Sequence, residues 1–215
     1  SDLNARLVNC YVQVRDNVRE VIEDLTCHSN NHSQDHYYNV RYLLNDGFYK
    51  EKEVLGASAF IYLNKTGFNG LYRENKKGGF NVPFGHRERF CVDTHKLLEA
   101  SKSLQGVGLE HCSFTSVAAE AKAGDFVYLD PPYVDTFNGY TGEGFGGAMQ
   151  LSLSSMFEQI AQRGVHVMLS NSDTPWVRDL YANWRIEPLL ARRSVSSTAS
   201  GRGKSPEVVI LSERA

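Results

Sequence analysis

Residues 125–140 read DFVYLDPPYVDTFNGY, and the fold turns on how this stretch is taken. Phe126, Val127, Tyr128 and Leu129 form a short apolar run of β-favouring residues, the pattern of a buried strand. The run ends in a carboxylate, Asp130, followed at once by Pro131, Pro132 and Tyr133. Ligands of open α/β sheets lie at the carboxyl ends of strands, so Asp130 stands at a functional edge by position alone. Proline fixes φ and has no N–H to donate. Pro131–Pro132 therefore makes a rigid loop, with the carbonyls of Asp130 and Pro131 left as outward-facing acceptors. A carboxylate beside a fixed carbonyl suits an –NH2 group, which has two hydrogens to donate. Tyr133 adds a ring on which a flat heterocycle can stack. The plainer alternative is a strand cap and a proline turn, with Tyr133 covering the core.

Outward from this stretch, strands and helices alternate. Residues 116–124 predict a short helix stopped by Gly124, and 134–148 a glycine-rich aromatic loop. A helix is expected over 151–164, a strand over 165–170, a helix over 174–184, and strands over 185–190 and 205–212. Upstream, 93–104 predicts a helix and 107–114 a strand. Such alternation implies an α/β core with a parallel sheet. Residues 3–25 read as one amphipathic helix, with Leu7, Tyr11, Val14, Val18, Val21 and Leu25 on one face. Residues 27–36 read as a polar loop and 54–67 as a buried helix, although a strand would also suit that apolar run. Gly78–Gly79, flanked by polar residues, suggests a hairpin turn. The expected organisation is a catalytic core of 1–26 and 91–215 with 27–90 inserted as a helical and hairpin subdomain.

Composition is that of an ordinary globular chain: 215 residues, 41% hydrophobic and 22% charged. No apolar run approaches the ~18 residues that a membrane-spanning helix needs. Cys10, Cys27, Cys91 and Cys112 lie far apart without a CxxC pair, which predicts reduced, buried thiols rather than a metal or disulfide framework. His28, His32 and His36 recur every four residues, but Ser and Asn surround them and no cysteine or acid cluster joins them. No metal is expected there. The formal net charge of −2 argues against a polyanion partner, whereas its distribution argues for one. Six basic residues (Lys65, Arg73, Lys76, Lys77, Arg87, Arg89) face two acids, Glu74 and Glu88, between Asn64 and Arg89. Arg192, Arg193, Arg202 and Lys204 form a second patch without an acid. Solvated basic loops are the bland alternative.

The D-P-P-Y at 130–133 resembles the catalytic motif of amino-group methyltransferases that use S-adenosylmethionine. The rest of the chain resembles Dam-type DNA adenine methyltransferases. LNKTGFNGLYRENKKGGFNVPFG (63–85) is similar to their DNA-recognition segment, and LSNSDT (169–174) to a motif on the strand beyond the catalytic one. RRSVSS (192–197), followed by GRGKSPEVVI, is similar to their C-terminal end. The resemblance covers nearly all 215 residues in the family's order. It implies a Rossmann-like methyltransferase sheet flanked by helices, and double-stranded DNA and S-adenosylmethionine as partners. It further implies a monomeric, soluble, cytoplasmic enzyme of bacterial or phage origin, working in DNA methylation or restriction-modification.

Carried over position by position, the resemblance implies that Asp130 and the Pro131 carbonyl hold the exocyclic amino group of a flipped-out adenine. Pro132 completes the rigid turn and Tyr133 stacks on the base. Phe137, Tyr140 and Phe145 lie in the loop that closes over it. Asp2, in SDLN, corresponds to the acid that takes the cofactor's ribose hydroxyls. Ser113 and Phe114 lie near the cofactor's adenine, with Asp130 beside the transferred methyl. Arg73, Asn75 and Asn81 occupy recognition positions, and Phe68 the place of an aromatic wedge. Lys65, Arg192 and Arg193 face DNA. His86 and Glu88 stand where relatives that act on GATC carry basic residues, so the target sequence stays open. The family's F-x-G-x-G loop and the first strand of its sheet are expected upstream of Ser1. Two alternatives remain: a DNA-binding protein of this fold without catalysis, and the same chemistry on another amino group, such as RNA adenine, cytosine or a protein glutamine.

Overall fold

The computed structural model describes residues 1–49, 53–133, 145–193 and 203–214. It divides into two compact units, Ser1–Cys112 and Ser113–Ala215.

The first unit is helical: α1 (Ala5–Asp16), α2 (Val18–Asn30), α3 (Gln34–Asp46), α4 (Glu53–Thr66) and α5 (Thr94–Leu104). Its centre is α4, which contacts α1, α2 and α3 and buries Ala57, Ala59, Phe60, Tyr62 and Leu63. Burial around several faces of a helix demands neighbours on several sides, so the helical reading of 54–67 is the correct one. The single helix expected over 3–25 is two helices. Asn17 breaks it at φ −130°, ψ 38°, while its side chain donates to Gln13 Oε1 at 2.6 Å. That bond joins two side chains, and the Asn17 carbonyl already accepts from the Val21 N–H at 3.1 Å; the break is one residue's backbone torsion, which apolar periodicity does not register. The loop expected over 27–36 is largely helix: α2 runs to Asn30, and Ser33 caps α3 by accepting from the His36 N–H at 3.1 Å. The histidines are drawn inward by Tyr62, on which His28 stacks at 4.8 Å and to whose hydroxyl His32 bonds at 2.9 Å. The strand expected over 107–114 is, among the described residues, one parallel bridge, Asp2 to His111.

In the second unit α6 (Phe114–Glu120), α7 (Gly147–Gln162) and α8 (Pro175–Leu180) flank a four-stranded sheet of order β1-β2-β4-β3. The strands are β1 (Phe126–Leu129), β2 (His166–Ser172), β3 (Trp184–Arg193) and β4 (Gly203–Arg214). β1 and β2 run parallel in register, Leu129 opposite Leu169, with α7 as the crossover that a parallel pair requires. β4 runs antiparallel to β2 and β3. β3 and β4 follow one another too closely in sequence for a helical crossover, so the sheet is mixed. Leu153, Met156, Phe157 and Ile160 of α7, spaced three, four and seven residues on, bury one stripe with Val127, Leu129, Val167, Leu169 and Ile210. Truncating one of these large side chains to Ala should cost about 2–5 kcal/mol.

Compactness thus divides the chain after Cys112, because α1, α2 and α5 share a core with α3, α4 and residues 80–90. The expected boundaries at 26/27 and 90/91 do not coincide with this division. Cys10 alone of the four cysteines is buried; Cys27 and Cys91 are exposed on polar segments. Among the described residues no group of His, Cys, Asp and Glu could hold a metal ion, and no helix is long and apolar enough to cross a membrane.

Candidate active site

β1 is half-buried rather than buried: Val127 and Leu129 face the core, while Phe126 and Tyr128 are 63% and 54% exposed. Side chains alternate along a strand, so Asp130 follows Tyr128 on the open face, and it too is exposed. The parallel register brings Ser170 of β2 alongside. Ser170 is buried, and its Oγ donates to Asp130 Oδ1 at 2.7 Å. The Tyr128 hydroxyl lies 3.1 Å from the same Oγ. A serine has one proton to give, so Tyr128 donates to Ser170 and Ser170 to Asp130. The carboxylate is held at the sheet's edge by a short chain of hydroxyls.

The turn behind Asp130 is anchored as firmly. Gln150, at the start of α7, donates through Nε2 to the Pro132 carbonyl at 2.9 Å. Its Oε1 accepts from Asn171 Nδ2 at 3.1 Å, and the Asn171 Oδ1 accepts from the Ser172 N–H at 2.9 Å. Of the two outward-facing carbonyls that the sequence suggests, Pro131's accepts from no described residue; it is Pro132's that turns inward. Tyr133 is half-buried and its hydroxyl donates to Glu207 Oε2 at 3.3 Å. Burial, aided by the nearby charges of Asp130 and Glu207, pushes its phenol up to about 12. The ring therefore stays neutral near pH 7. Ser170, Gln150, Asn171 and Glu207 were not marked by the sequence as site residues. Gln150 carries a readable signal: it is a polar residue three positions before Leu153, on the apolar stripe of α7.

The remaining predicted residues fall into local groups. Asp2 is exposed; its N–H donates to the Glu110 carbonyl at 3.2 Å and its Oδ1 accepts from the Asn4 N–H at 2.6 Å. Ser113 caps α6 by accepting from the Thr115 N–H at 3.4 Å. Phe114 begins α6 and meets Phe145 edge-on, centroids 6.1 Å apart. Phe137 and Tyr140 lie outside the described residues. Arg192 and Arg193 end β3, paired in register with Lys204 and Gly203.

In the first unit residues 67–85 form a hairpin on the end of α4. Glu74 and Phe80 bridge antiparallel, and Asn75 Oδ1 accepts from the N–H groups of Lys77 and Gly79 at 2.9 and 3.0 Å. Gly78, at φ +75°, takes the left-handed position that glycine tolerates. Asn75 is thus the turn former, with its Nδ2 left for outside contacts. Arg73 and Asn81 are brought together: Arg73 Nε donates to Asn81 Oδ1 at 2.6 Å. Asn45 of α3 clips the hairpin down through two 2.9 Å bonds to the backbone of Phe80. Phe80, Val82 and Phe84 alternate into the core, which leaves Arg73, Asn75, Lys76 and Lys77 exposed at the tip. Lys65 is exposed on α4, and Phe68 is 42% exposed just beyond it. The Phe68 N–H is tied to the Pro83 carbonyl at 2.9 Å. A Cβ on Gly85 would lie 2.7 Å from the Gly67 oxygen, so this close crossing needs glycine.

The chain is 38% identical to the Type II methyltransferase M1.LlaDCHI of Lactococcus lactis subsp. cremoris, over 98% of the chain and 77% of that protein. It is 31% identical to the DNA adenine methylase of Vibrio cholerae, over 98% of the chain and 78% of the relative. With the DNA N-6-adenine-methyltransferase of Escherichia phage P1 it shares 33% identity over 97% of the chain, which spans 28% of that longer protein. The family profile described as D12 class N6 adenine-specific DNA methyltransferase matches residues 1–195, a span that takes in the hairpin, the D-P-P-Y turn and Ser170 alike. By that match the chain belongs to the D12 class N6 adenine-specific DNA methyltransferase family.

Proposed function

We propose that this adenine-specific DNA methyltransferase acts on an adenine flipped out of duplex DNA and takes its methyl group from S-adenosylmethionine. The observation that carries the reading is the Asp130 carboxylate, held through Oδ1 by Ser170 at 2.7 Å and followed by the Pro131 carbonyl. Both can accept from one exocyclic –NH2, while Tyr133 presents a neutral ring to the base. The lone pair of that nitrogen is conjugated with the purine, which makes it a poor nucleophile. Drawing its two hydrogens into two fixed acceptors favours a pyramidal nitrogen and frees the lone pair. When bound, S-adenosylmethionine supplies an electrophilic methyl on a sulfonium. That methyl would pass directly to the freed lone pair, its bonding electrons left on sulfur, and the surplus N6 proton would leave to solvent by way of the Asp130 carboxylate. No covalent enzyme intermediate is needed, so most of the acceleration comes from alignment and from fixed dipoles in a water-poor pocket.

For the cofactor, the exposed Asp2 has one oxygen engaged by Asn4 and one left to accept ribose hydroxyls. Phe114 offers an aromatic edge for the adenine, and Ser113 a polar group beside it. For DNA, Arg73, Asn75 and Asn81 on the hairpin read base edges or grip phosphate, Phe68 wedges beside the flipped base, and Phe137 and Tyr140 close over it. Lys65, Arg192 and Arg193 neutralise phosphates. Residues 27–90 thus recognise DNA, while 1–26 and 91–215 serve catalysis. The bacterial and phage relatives support a cytoplasmic enzyme.

Incubation with labelled S-adenosylmethionine and duplex DNA, followed by nucleoside analysis, tests the reading. N6-methyladenine in duplex DNA is expected. Label in cytosine, or equal labelling of RNA, would overturn it.

A further inference from the structure

Two fully buried amides stand in series behind the D-P-P-Y turn: Gln150, 1% exposed, and Asn171, 0% exposed. Their orientation is fixed from one end. The Ser172 backbone N–H can only donate, so the Asn171 oxygen must face it at 2.9 Å. The Asn171 amide N–H then faces Gln150 Oε1 at 3.1 Å, which leaves the Gln150 N–H for the Pro132 carbonyl at 2.9 Å. Burying two amides is costly unless every bond is made, and an apolar pair would fill the space without that risk. Their target is informative. With φ fixed in both proline rings, ψ of Pro132 is the torsion that sets how Tyr133 leaves the turn, and the Pro132 carbonyl reports that torsion. A donor on this carbonyl therefore fixes the Tyr133 ring relative to the Pro131 carbonyl and Asp130.

We propose that Gln150, oriented by Asn171, is a positioning residue: it locks ψ of Pro132 and so holds the base-stacking ring and the amino-group acceptors in the relation that methyl transfer needs. The inference rests on the reading of residues 130–133 given above. Gln150 touches neither base nor cofactor in this role, so its loss acts on kcat rather than on DNA affinity.

The test uses the whole chain with Gln150→Met, which keeps the volume and removes the donor, and with Gln150→Glu. A carboxylate at 150 cannot donate to the Pro132 carbonyl, whereas a protonated carboxyl can, and burial raises its pKa. Misplacement by about 1 Å can cost roughly 100-fold in rate. Per folded molecule, measured by thermal melting, Gln150→Met should lower kcat about 10- to 100-fold with the duplex Kd within about threefold. The kcat of Gln150→Glu relative to wild type should climb as pH falls from 8.5 to 6, a signature that loss of packing alone cannot produce. The proposal is overturned if both variants turn over within about twofold of wild type, or if the Gln150→Glu profile runs parallel to wild type. Wild type that makes no N6-methyladenine would sink the underlying reading instead; active wild type with indifferent variants would sink this proposal alone.

Discussion

Ser170 donates its only proton to Asp130 Oδ1 across 2.7 Å, and the register of two parallel strands puts it there. Leu129 pairs with Leu169, and the next residue on each strand is the acid and its donor. A one-residue slip would send every side chain of β1 to the other face, so this bond and the packing of Val127 and Leu129 stand or fall together. The hydrogen bond is charge-assisted and engages Oδ1.

Removing the Ser170 hydroxyl should therefore lower turnover without harming recognition. Ser170→Ala is expected to cost about tenfold in kcat, the scale of one hydrogen bond to a charged group, with DNA affinity unchanged. Ser170→Thr should keep most of the activity. Steady-state kinetics on a duplex substrate checks both, and a Ser170→Ala enzyme as fast as wild type would mean that Asp130 needs no such support.

Arg73 and Asn81 should behave as one unit on DNA, since the guanidinium is already bonded to the amide oxygen at 2.6 Å. Arg73→Ala is expected to cost roughly 1–3 kcal/mol on a cognate duplex and little on random DNA. The double variant with Asn81→Ala should cost little more, because coupled residues are not additive. Arg192→Ala should instead weaken all sequences alike and flatten the salt dependence by about one unit. Titrations at several salt concentrations separate the two behaviours. Equal weakening of cognate and scrambled duplexes by Arg73→Ala would make Arg73 a phosphate clamp.

Acid should destabilise the helical unit at His36. Burial, with the charges of His28 and His32 adding to it and that of Asp24 opposing, holds its imidazole below the ordinary value of 6.5. Its ring nitrogen lies 3.0 Å from His28, and Tyr62 packs against it. The unfolded chain takes up this proton at its ordinary pKa and the folded chain only at lower pH. The stabilisation is therefore complete above about pH 6.5 and is lost as pH falls from there through the folded value. Thermal melting between pH 8 and 5 should show a falling midpoint that His36→Gln flattens. An unchanged slope in that variant would move the effect elsewhere.

Much of the second unit was legible because its signals are local and repeated. The apolar run that ends at Asp130, the stripe Leu153, Met156, Phe157 and Ile160, and the run before Ser170 each declare an element by spacing alone. The failures have physical causes. Asn17 ends α1 by the non-helical torsion of a single residue while the apolar face continues past it. The polar residues 27–36 become helix because Tyr62, some 30 positions on, gives the histidines something to pack against. The run 107–114 has strand composition, but among the described residues it makes one bridge, to Asp2. At the site, D-P-P-Y and the hairpin announced themselves through rigid or unusual residues. Ser170 and Asn171 lay within LSNSDT, but their roles, like that of Gln150, were not legible, because these depend on which atoms the side chains face after folding.

Asp130→Ala tests the central claim most directly. Methyl incorporation into duplex DNA and DNA affinity should be measured side by side for this variant and wild type. Wild type should yield N6-methyladenine; the variant should bind the duplex within a few-fold of wild type yet transfer methyl at least ~100-fold more slowly, the scale of losing one aligned polar group. Near wild-type transfer by Asp130→Ala would contradict the account.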